Sequence, residues 1–164
     1  MSAPAVAALL AARTAAWTAA ERAALDQVVA ALRPSARHLT DVLDWLDDVA
    51  VRDGVRPAAV LARPGLEAQL RARGSAPDLL KRWKEVLRRE RYPRLAARED
   101  ALAATVRGLG LGRAVRVQPP AALEGGVVTF TIAARSADEL AEVLERLHAA
   151  LAAGRIEALF ALLD

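Results

Sequence analysis

The spacing of apolar residues in the first third of the chain is helical. Between residues 4 and 32 it predicts one or two alanine-rich helices, which Pro34 ends. Over residues 37–52 it predicts a helix with an apolar stripe on one side and aspartates on the other, and Gly54 supplies the stop. The first third of the chain is therefore predicted to be helical throughout.

Prolines and glycines divide the next part of the chain into shorter helices. A proline favours the start of a short helix over residues 57–61, and another proline favours one over residues 64–73, which a glycine stops. A serine cap then predicts a helix over residues 75–92, which ends just before the next proline. This helix carries leucines and Trp83 on one side.

From residue 95 onward the pattern changes from helix to strand and back. A helix over 95–109 precedes two strands, over 113–118 and 127–133, which a loop rich in proline and glycine joins. A capping box of serine and glutamate then predicts a helix over 136–153, and a last short helix follows over 156–163. The C-terminal part therefore has the order α-β-β-α.

The predicted hairpin places its apolar residues on one face. These are Val115, Val117, Val128, Phe130 and Ile132, whereas Arg116, Thr129 and Thr131 fall on the other face. An isolated two-stranded sheet is marginally stable and leaves two open edges. Two-fold pairing with a second copy would complete a four-stranded sheet. The hairpin therefore predicts a homodimer.

Together these elements predict a mostly helical α+β fold. A helical lobe is expected over residues 1–93, and an α-β-β-α lobe that dimerises through its hairpin over residues 94–164. The length of 164 residues suits one domain or two small lobes. An apolar fraction of 54% with 26% charged residues is ample for a core and argues against wholesale disorder.

Cysteine content and the N-terminus indicate the compartment. The sequence has no cysteine, which excludes disulfides, thiolate nucleophiles and cysteine zinc sites and fits a reducing compartment. The apolar N-terminus lacks the positively charged segment of a secretory signal. No uncharged apolar run reaches the roughly 18 to 20 residues that span a bilayer. We therefore predict a cytoplasmic protein with no membrane partner.

Groups suited to catalysis are scarce. The two histidines, His38 and His148, lie on different predicted elements, and no serine sits in a nucleophile elbow. The glycine run over residues 108–112 follows a helix and leads into a strand, which is the reverse of a dinucleotide-binding loop. We predict a protein that is not an enzyme and has no cofactor.

Aspartates cluster on and after the predicted helix over residues 37–52. They are Asp41, Asp44, Asp47, Asp48 and Asp53. Oxygen ligands suit divalent cations, but these residues lack the spacing and the glycine of a calcium-binding loop, so we predict no metal site. They are expected to form the solvated face of the helix, or to dock a basic helix within one chain or across a dimer.

Positive charge is concentrated in one part of the chain. The protein has a net charge of +3, yet residues 71–98 hold ten basic and three acidic residues, so this segment carries +7 and the rest about −4. On the helix over residues 75–92, four cations recur every three or four positions along one face, namely Lys81, Lys84, Arg88 and Arg91. Such a face suits phosphate contacts, and the alternative is a solvated helix face in an arginine-rich protein.

The aromatic residues are less informative. The tryptophans Trp17, Trp45 and Trp83 fall at apolar helical positions, which favours burial. Trp83 and Tyr92 stand beside arginines, so base stacking is the alternative role for those two.

A family resemblance adds to these predictions. A helix with Leu102 and Val106 is followed by Arg113-Ala-Val-Arg-Val117, by Val127-Val-Thr-Phe-Thr-Ile132 and by Ser136-Ala-Asp-Glu-Leu-Ala-Glu-Val-Leu144. Residues 99–148 thereby resemble the C-terminal domain of ParB-type chromosome and plasmid partition proteins. The resemblance implies a bacterial protein that dimerises through a shared sheet and contacts DNA nonspecifically through basic residues. Residues 1–95 lack that family's arginine-rich nucleotide-binding motif, so the nucleotide-gated activity is not implied.

We therefore predict a DNA-binding homodimer in a partition, nucleoid or mobile-element setting. Phosphate contacts are assigned to Lys81, Lys84, Arg88, Arg91, Arg94 and Arg116. The dimer interface is assigned to Val115, Val117, Val128, Phe130, Ile132, Leu140 and Leu144. The alternative is a noncatalytic adaptor subunit that binds a protein partner through its helical lobe, where the arginine-rich helix meets an acidic surface.

Overall fold

Helices make up most of the chain in the computed structural model, which describes residues 3–120 and 126–163. A two-stranded antiparallel sheet completes the described elements, so the predicted mostly helical α+β class is confirmed. The elements are α1 (Ala3–Arg13), α2 (Ala19–Leu32), α3 (Ala36–Asp53), α4 (Pro57–Leu61), α5 (Pro64–Arg71), α6 (Ala76–Arg91), α7 (Pro93–Gly108), β1 (Val115–Gln118), β2 (Thr129–Ile132), α8 (Ala137–Ala152) and α9 (Arg155–Phe160). Residues 121–125 of the predicted interstrand loop lie outside the described residues.

Two helices occupy the alanine-rich segment near the N-terminus, and a capping box marks the break between them. At the start of α2 the Thr18 hydroxyl accepts a hydrogen bond from the Glu21 N–H at 3.2 Å. In return, the Glu21 carboxylate accepts one from the Thr18 N–H at 2.8 Å. The Thr-x-x-Glu pattern that signals this start is present in the sequence, between two alanine-rich stretches.

Residues up to 93 form one compact unit. Its core contains the apolar stripes predicted for α3 and α6, including Leu39 and Trp83, which are both 0% exposed. Helices α2, α4 and α5 supply the remaining buried residues, while α1 contributes partly buried Val6, Leu9 and Leu10. The amphipathic pattern of the sequence therefore accounts for most of this core.

Residues from 94 onward form a second unit, which contains the hairpin. Val115 lies opposite Ile132 and Val117 opposite Phe130, so the apolar residues of both strands share one face. Both strands are shorter than predicted, since residues 113 and 114 form a turn before β1 begins and residues 127, 128 and 133 lie outside β2. The Ala133 N–H still donates to the Ala114 carbonyl at 2.8 Å and extends the pairing by one bond.

Helix α8 covers the apolar side of this second unit. Val143 and Ala150 are buried in the cluster that also contains Leu102 and Val115. The predicted capping box at the start of α8 is half formed. The Ser136 hydroxyl accepts from the Glu139 N–H at 3.1 Å, but the Glu139 carboxylate accepts from the N–H of Arg135, one residue earlier than the box requires.

Candidate binding site between helices α3 and α6

Helices α3 and α6 run in the same direction and are joined by ion pairs at matching intervals. The Lys84 ammonium lies 2.7 Å from the Asp41 carboxylate, and the Arg91 guanidinium lies 2.5 Å from Asp48. From the first ion pair to the second, the position along each helix increases by seven residues, or about two turns, so both pairs lie on the same face of α3 and on the same face of α6. The Lys84 ammonium, by donating a hydrogen bond, lowers the pKa of Asp41. The acidic face of α3 thus docks the basic face of α6 within one chain.

The C-terminal end of α6 is tied to α3 by an arginine. Arg52 donates to the carbonyls of Glu90 and Arg91 at 2.6 and 2.9 Å, which satisfies acceptors that the helix end leaves free. Arg63 pairs with both Asp53 and Glu90. Hydrogen bonds from Arg52 and Arg63 hold the pKa of Asp53 well below its usual range. This network fixes the end of α6 beside the end of α3.

Trp45 lies between the two ion pairs of the α3–α6 contact. Its half-buried ring has the Lys84 ammonium 4.9 Å and the Arg91 guanidinium 5.7 Å from its centroid. Cations at these distances are attracted to the face of an indole. Sequence reasoning placed Trp45 in the core and missed this role. The available signal was its position four residues after Asp41 and three before Asp48, which puts it on the same helix face.

A groove opens beside Trp45 at the N-terminal half of α6. Its volume is about 340 Å³, and Trp45, Pro77 and Leu80 provide its apolar surface. The polar residues along it are His38, Lys81, Lys84, Glu85 and Arg88. We refer to this depression as the α3–α6 groove. It combines an indole face with several cations, a composition suited to an anionic ligand that has an apolar part.

Three of the predicted phosphate-binding residues are paired with carboxylates of the same unit. Lys84 and Arg91 bind α3, as described, and Arg88 lies 2.8 Å from Glu85. By donating hydrogen bonds, Arg88 lowers the pKa of Glu85. The side chains of these three cations are 19–27% exposed. Their charge is therefore already largely compensated, and a phosphate would have to compete with these carboxylates for the cations.

The other predicted phosphate-binding residues are exposed. They are Lys81, Arg94 and Arg116. Lys81 also borders a second, wider groove of about 630 Å³, where it lies with Arg73 and Arg82. Arg73 and Arg82 are both exposed, and the Arg82 guanidinium donates a hydrogen bond to the Arg73 carbonyl at 3.0 Å. The exposed positive charge thus lies toward the start of α6 rather than along its whole length.

The predicted dimer residues separate into two groups. Val115 is buried, and Val117, Val128, Phe130 and Ile132 are partly buried against the core of their own unit. Leu140 and Leu144 on α8 are instead 40% and 52% exposed, and Leu151, which sequence reasoning missed, is 49% exposed. The seven-residue interval from Leu144 to Leu151 could have identified the third leucine. The hairpin face is therefore covered, and α8 presents the exposed apolar line.

The structure also decides between the alternatives for the aromatic residues beside arginines. Trp83 is 0% exposed, and its indole N–H has no acceptor among the described residues, so its ring cannot stack on a base. Tyr92 is 44% exposed, with the Arg91 guanidinium 4.9 Å from its ring centroid. Tyr92 remains accessible, whereas Trp83 belongs to the core.

Comparisons with known proteins complete the description of the site. No family model, curated protein or solved structure matches this chain. Within residues 3–120 and 126–163, no group of three histidine or acidic side chains is arranged to hold a metal ion. In the same part of the chain, every helix is too short or too polar to cross a bilayer.

Proposed function

We propose that this protein is a non-enzymatic assembly protein that acts as a homodimer through its C-terminal unit. The observation that carries the proposal is the exposed line of leucines on α8. Leu140, Leu144 and Leu151, with half-buried Leu147 between them, recur at intervals of four, three and four residues. Such an interval keeps side chains along one seam of a helix, which is typical of helices that pair.

The arrangement of α8 favours a second copy as the occupant of this seam. In an antiparallel pair about a two-fold axis, Leu140 faces Leu151 of the other copy and Leu144 faces Leu147. The first half of α8 carries Asp138, Glu139 and Glu142, whereas Glu145 and Arg146 balance each other in its second half. Antiparallel pairing therefore sets each acidic half beside a half without net charge, which keeps the two acidic halves apart. The seam is self-complementary in its leucines.

The mass of the protein in solution tests the proposed dimer. We expect about twice the chain mass of 17.4 kDa for the wild type and a monomer for Leu144→Glu, because the substitution places a carboxylate in the apolar seam. Val51→Glu is the matched control, since Val51 is 82% exposed and lies on α3. It should leave the mass unchanged. A monomeric wild type would overturn the proposal, and a dimeric Leu144→Glu variant would remove α8 from the interface.

Nonspecific DNA binding is a second candidate function. The exposed cations at the start of α6, Arg73, Lys81 and Arg82, support it, because they are accessible to a phosphate backbone. We expect weak affinity for duplex DNA. The logarithm of the association constant should fall with the logarithm of the salt concentration with a slope of about −3, close to the value for three phosphate contacts. Lys81→Glu should reduce the magnitude of that slope by about one unit. Lys84→Glu, by contrast, should disrupt the packing of α6 on α3, because it removes the ion pair with Asp41. A slope that Lys81→Glu leaves unchanged would exclude this surface.

A further inference from the structure

The α3–α6 groove combines two kinds of surface. On the apolar side are the half-buried indole of Trp45, the buried side chain of Leu80 and the exposed ring of Pro77. An aromatic face beside leucine and proline accepts a bulky apolar side chain, which loses contact with water when it enters. The floor of the groove therefore offers a place for an apolar anchor.

Cations surround this apolar floor. Lys81 is exposed at the edge and forms no ion pair with any described residue. Lys84, also on α6, is bonded to Asp41 and is 19% exposed, so its charge is already compensated. The groove thus provides one accessible positive charge, at Lys81, beside its apolar surface.

We infer that the α3–α6 groove binds an acidic segment of a protein partner, with a bulky apolar residue of that segment packed on Trp45 and a carboxylate on Lys81. The inference deepens the proposed function, because it names what each half of the dimer would hold. It concerns the N-terminal unit, so its failure and that of the dimer are measured separately.

The carboxylates around the groove favour a peptide over nucleic acid. Glu85 lines the groove, and Asp41 binds Lys84 beside it. A duplex presents a continuous run of phosphates, which these acids repel along its length. A peptide can place one carboxylate at Lys81 and none beside the acids. It also supplies the apolar side chain that the floor of the groove accommodates.

Fluorescence anisotropy with a labelled peptide tests the inference on the full chain. The probe is a peptide of about twelve residues, with two leucines at its centre and one aspartate or glutamate on each side of them. A second peptide replaces the leucines by serine, and a short DNA duplex serves as the competing class of ligand. The protein variants are Trp45→Ala, Lys81→Glu and, as a matched charge reversal on the exposed side of α7, Arg107→Glu.

We expect the leucine peptide to bind the wild type, with affinity reduced about tenfold or more by Trp45→Ala, by Lys81→Glu and by the serine replacement. Arg107→Glu should change it by less than about twofold. Circular dichroism verifies the fold of each variant. If Trp45→Ala does not fold, Lys81→Glu decides, since its side chain is exposed.

Three results would overturn the inference. One is the absence of peptide binding to the wild type, and another is equal affinity in the wild type and a folded Lys81→Glu variant. The third is tighter binding of the duplex than of the peptide, with the same dependence on Lys81. The mass of each sample, measured in parallel, shows whether the dimer is intact, so loss of groove binding is distinguishable from loss of assembly.

Discussion

At the scale of single residues, Glu21 shows how one side chain joins separate parts of the N-terminal unit. Its carboxylate caps α2 through Thr18 and accepts two hydrogen bonds from Arg56, both at 2.7 Å. The side chain of Glu21 is 7% exposed, whereas that of Arg56 is 62% exposed. The hydrogen bond from Arg56, followed by that from the Thr18 N–H, lowers the pKa of Glu21 from 4.5 to about 2.

This lowered pKa predicts a pH-dependent contribution to stability. A carboxylate with a lower pKa in the folded state stabilises the fold above its unfolded pKa and ceases to do so as pH falls through the folded value. Glu21 should therefore stabilise the protein fully above about pH 4.5 and lose that contribution down to about pH 2. Urea midpoints of the wild type and Glu21→Gln should differ at pH 6 and converge near pH 2.

Asp26→Asn provides the control for this comparison, since Asp26 lies exposed on the same helix. Its urea midpoints should follow those of the wild type at both pH values. A gap between the wild type and Glu21→Gln that is constant from pH 6 to pH 2 would contradict the role of the Glu21 charge.

At the scale of elements, helix ends followed from the sequence more directly than contacts between helices. Gly54 adopts φ +64° at the end of α3, a left-handed conformation that glycine enters without strain, and Ser75 caps α6 as predicted. These signals act within a few residues of the chain. By contrast, Arg33 ends α2 with φ +46°, for which an arginine gives no sequence signal.

Contacts between elements were harder to predict because they depend on which faces meet. The periodicity of α6 placed Lys84 and Arg91 on one face, but the same pattern fits a free surface and a surface docked on α3. The position of Asp41 and Asp48 seven residues apart becomes informative once α3 and α6 are known to be parallel. The predicted dimer residues illustrate the same limit. Packing within the unit partly buries Phe130 and leaves Leu144 exposed, and the apolar spacing of the sequence does not distinguish these two outcomes.

At the scale of the whole molecule, the chain comprises two units that differ in how completely their apolar residues are buried. In the C-terminal unit, many apolar residues are partly rather than fully buried, among them Phe130, Ile132 and Leu147. The N-terminal unit encloses its leucines and Trp83 more completely. Burial of apolar surface is the main favourable term in folding, so the C-terminal unit is expected to depend on association for its stability.

The distribution of aromatic residues makes this expectation measurable. All three tryptophans and Tyr92 precede residue 94, so tryptophan fluorescence reports on the N-terminal unit, whereas circular dichroism reports on both. On heating, the circular dichroism signal should change first, at a temperature that rises with protein concentration. The fluorescence transition should follow at a temperature independent of concentration. Coincident transitions at every concentration would contradict two separately stable units.

The parallel packing of α3 and α6 also has an electrostatic consequence for the backbone. Each helix carries a macrodipole with a positive N-terminal and a negative C-terminal end, and parallel helices align these dipoles so that like ends adjoin. The negative ends meet where Arg52 donates to the last carbonyls of α6, so Arg52 serves as a counterion for two helices at once. The positive ends meet near His38 and Pro77, beside the α3–α6 groove. The backbone itself therefore adds to the positive potential at the N-terminal end of the α3–α6 pair, where Lys81 is exposed.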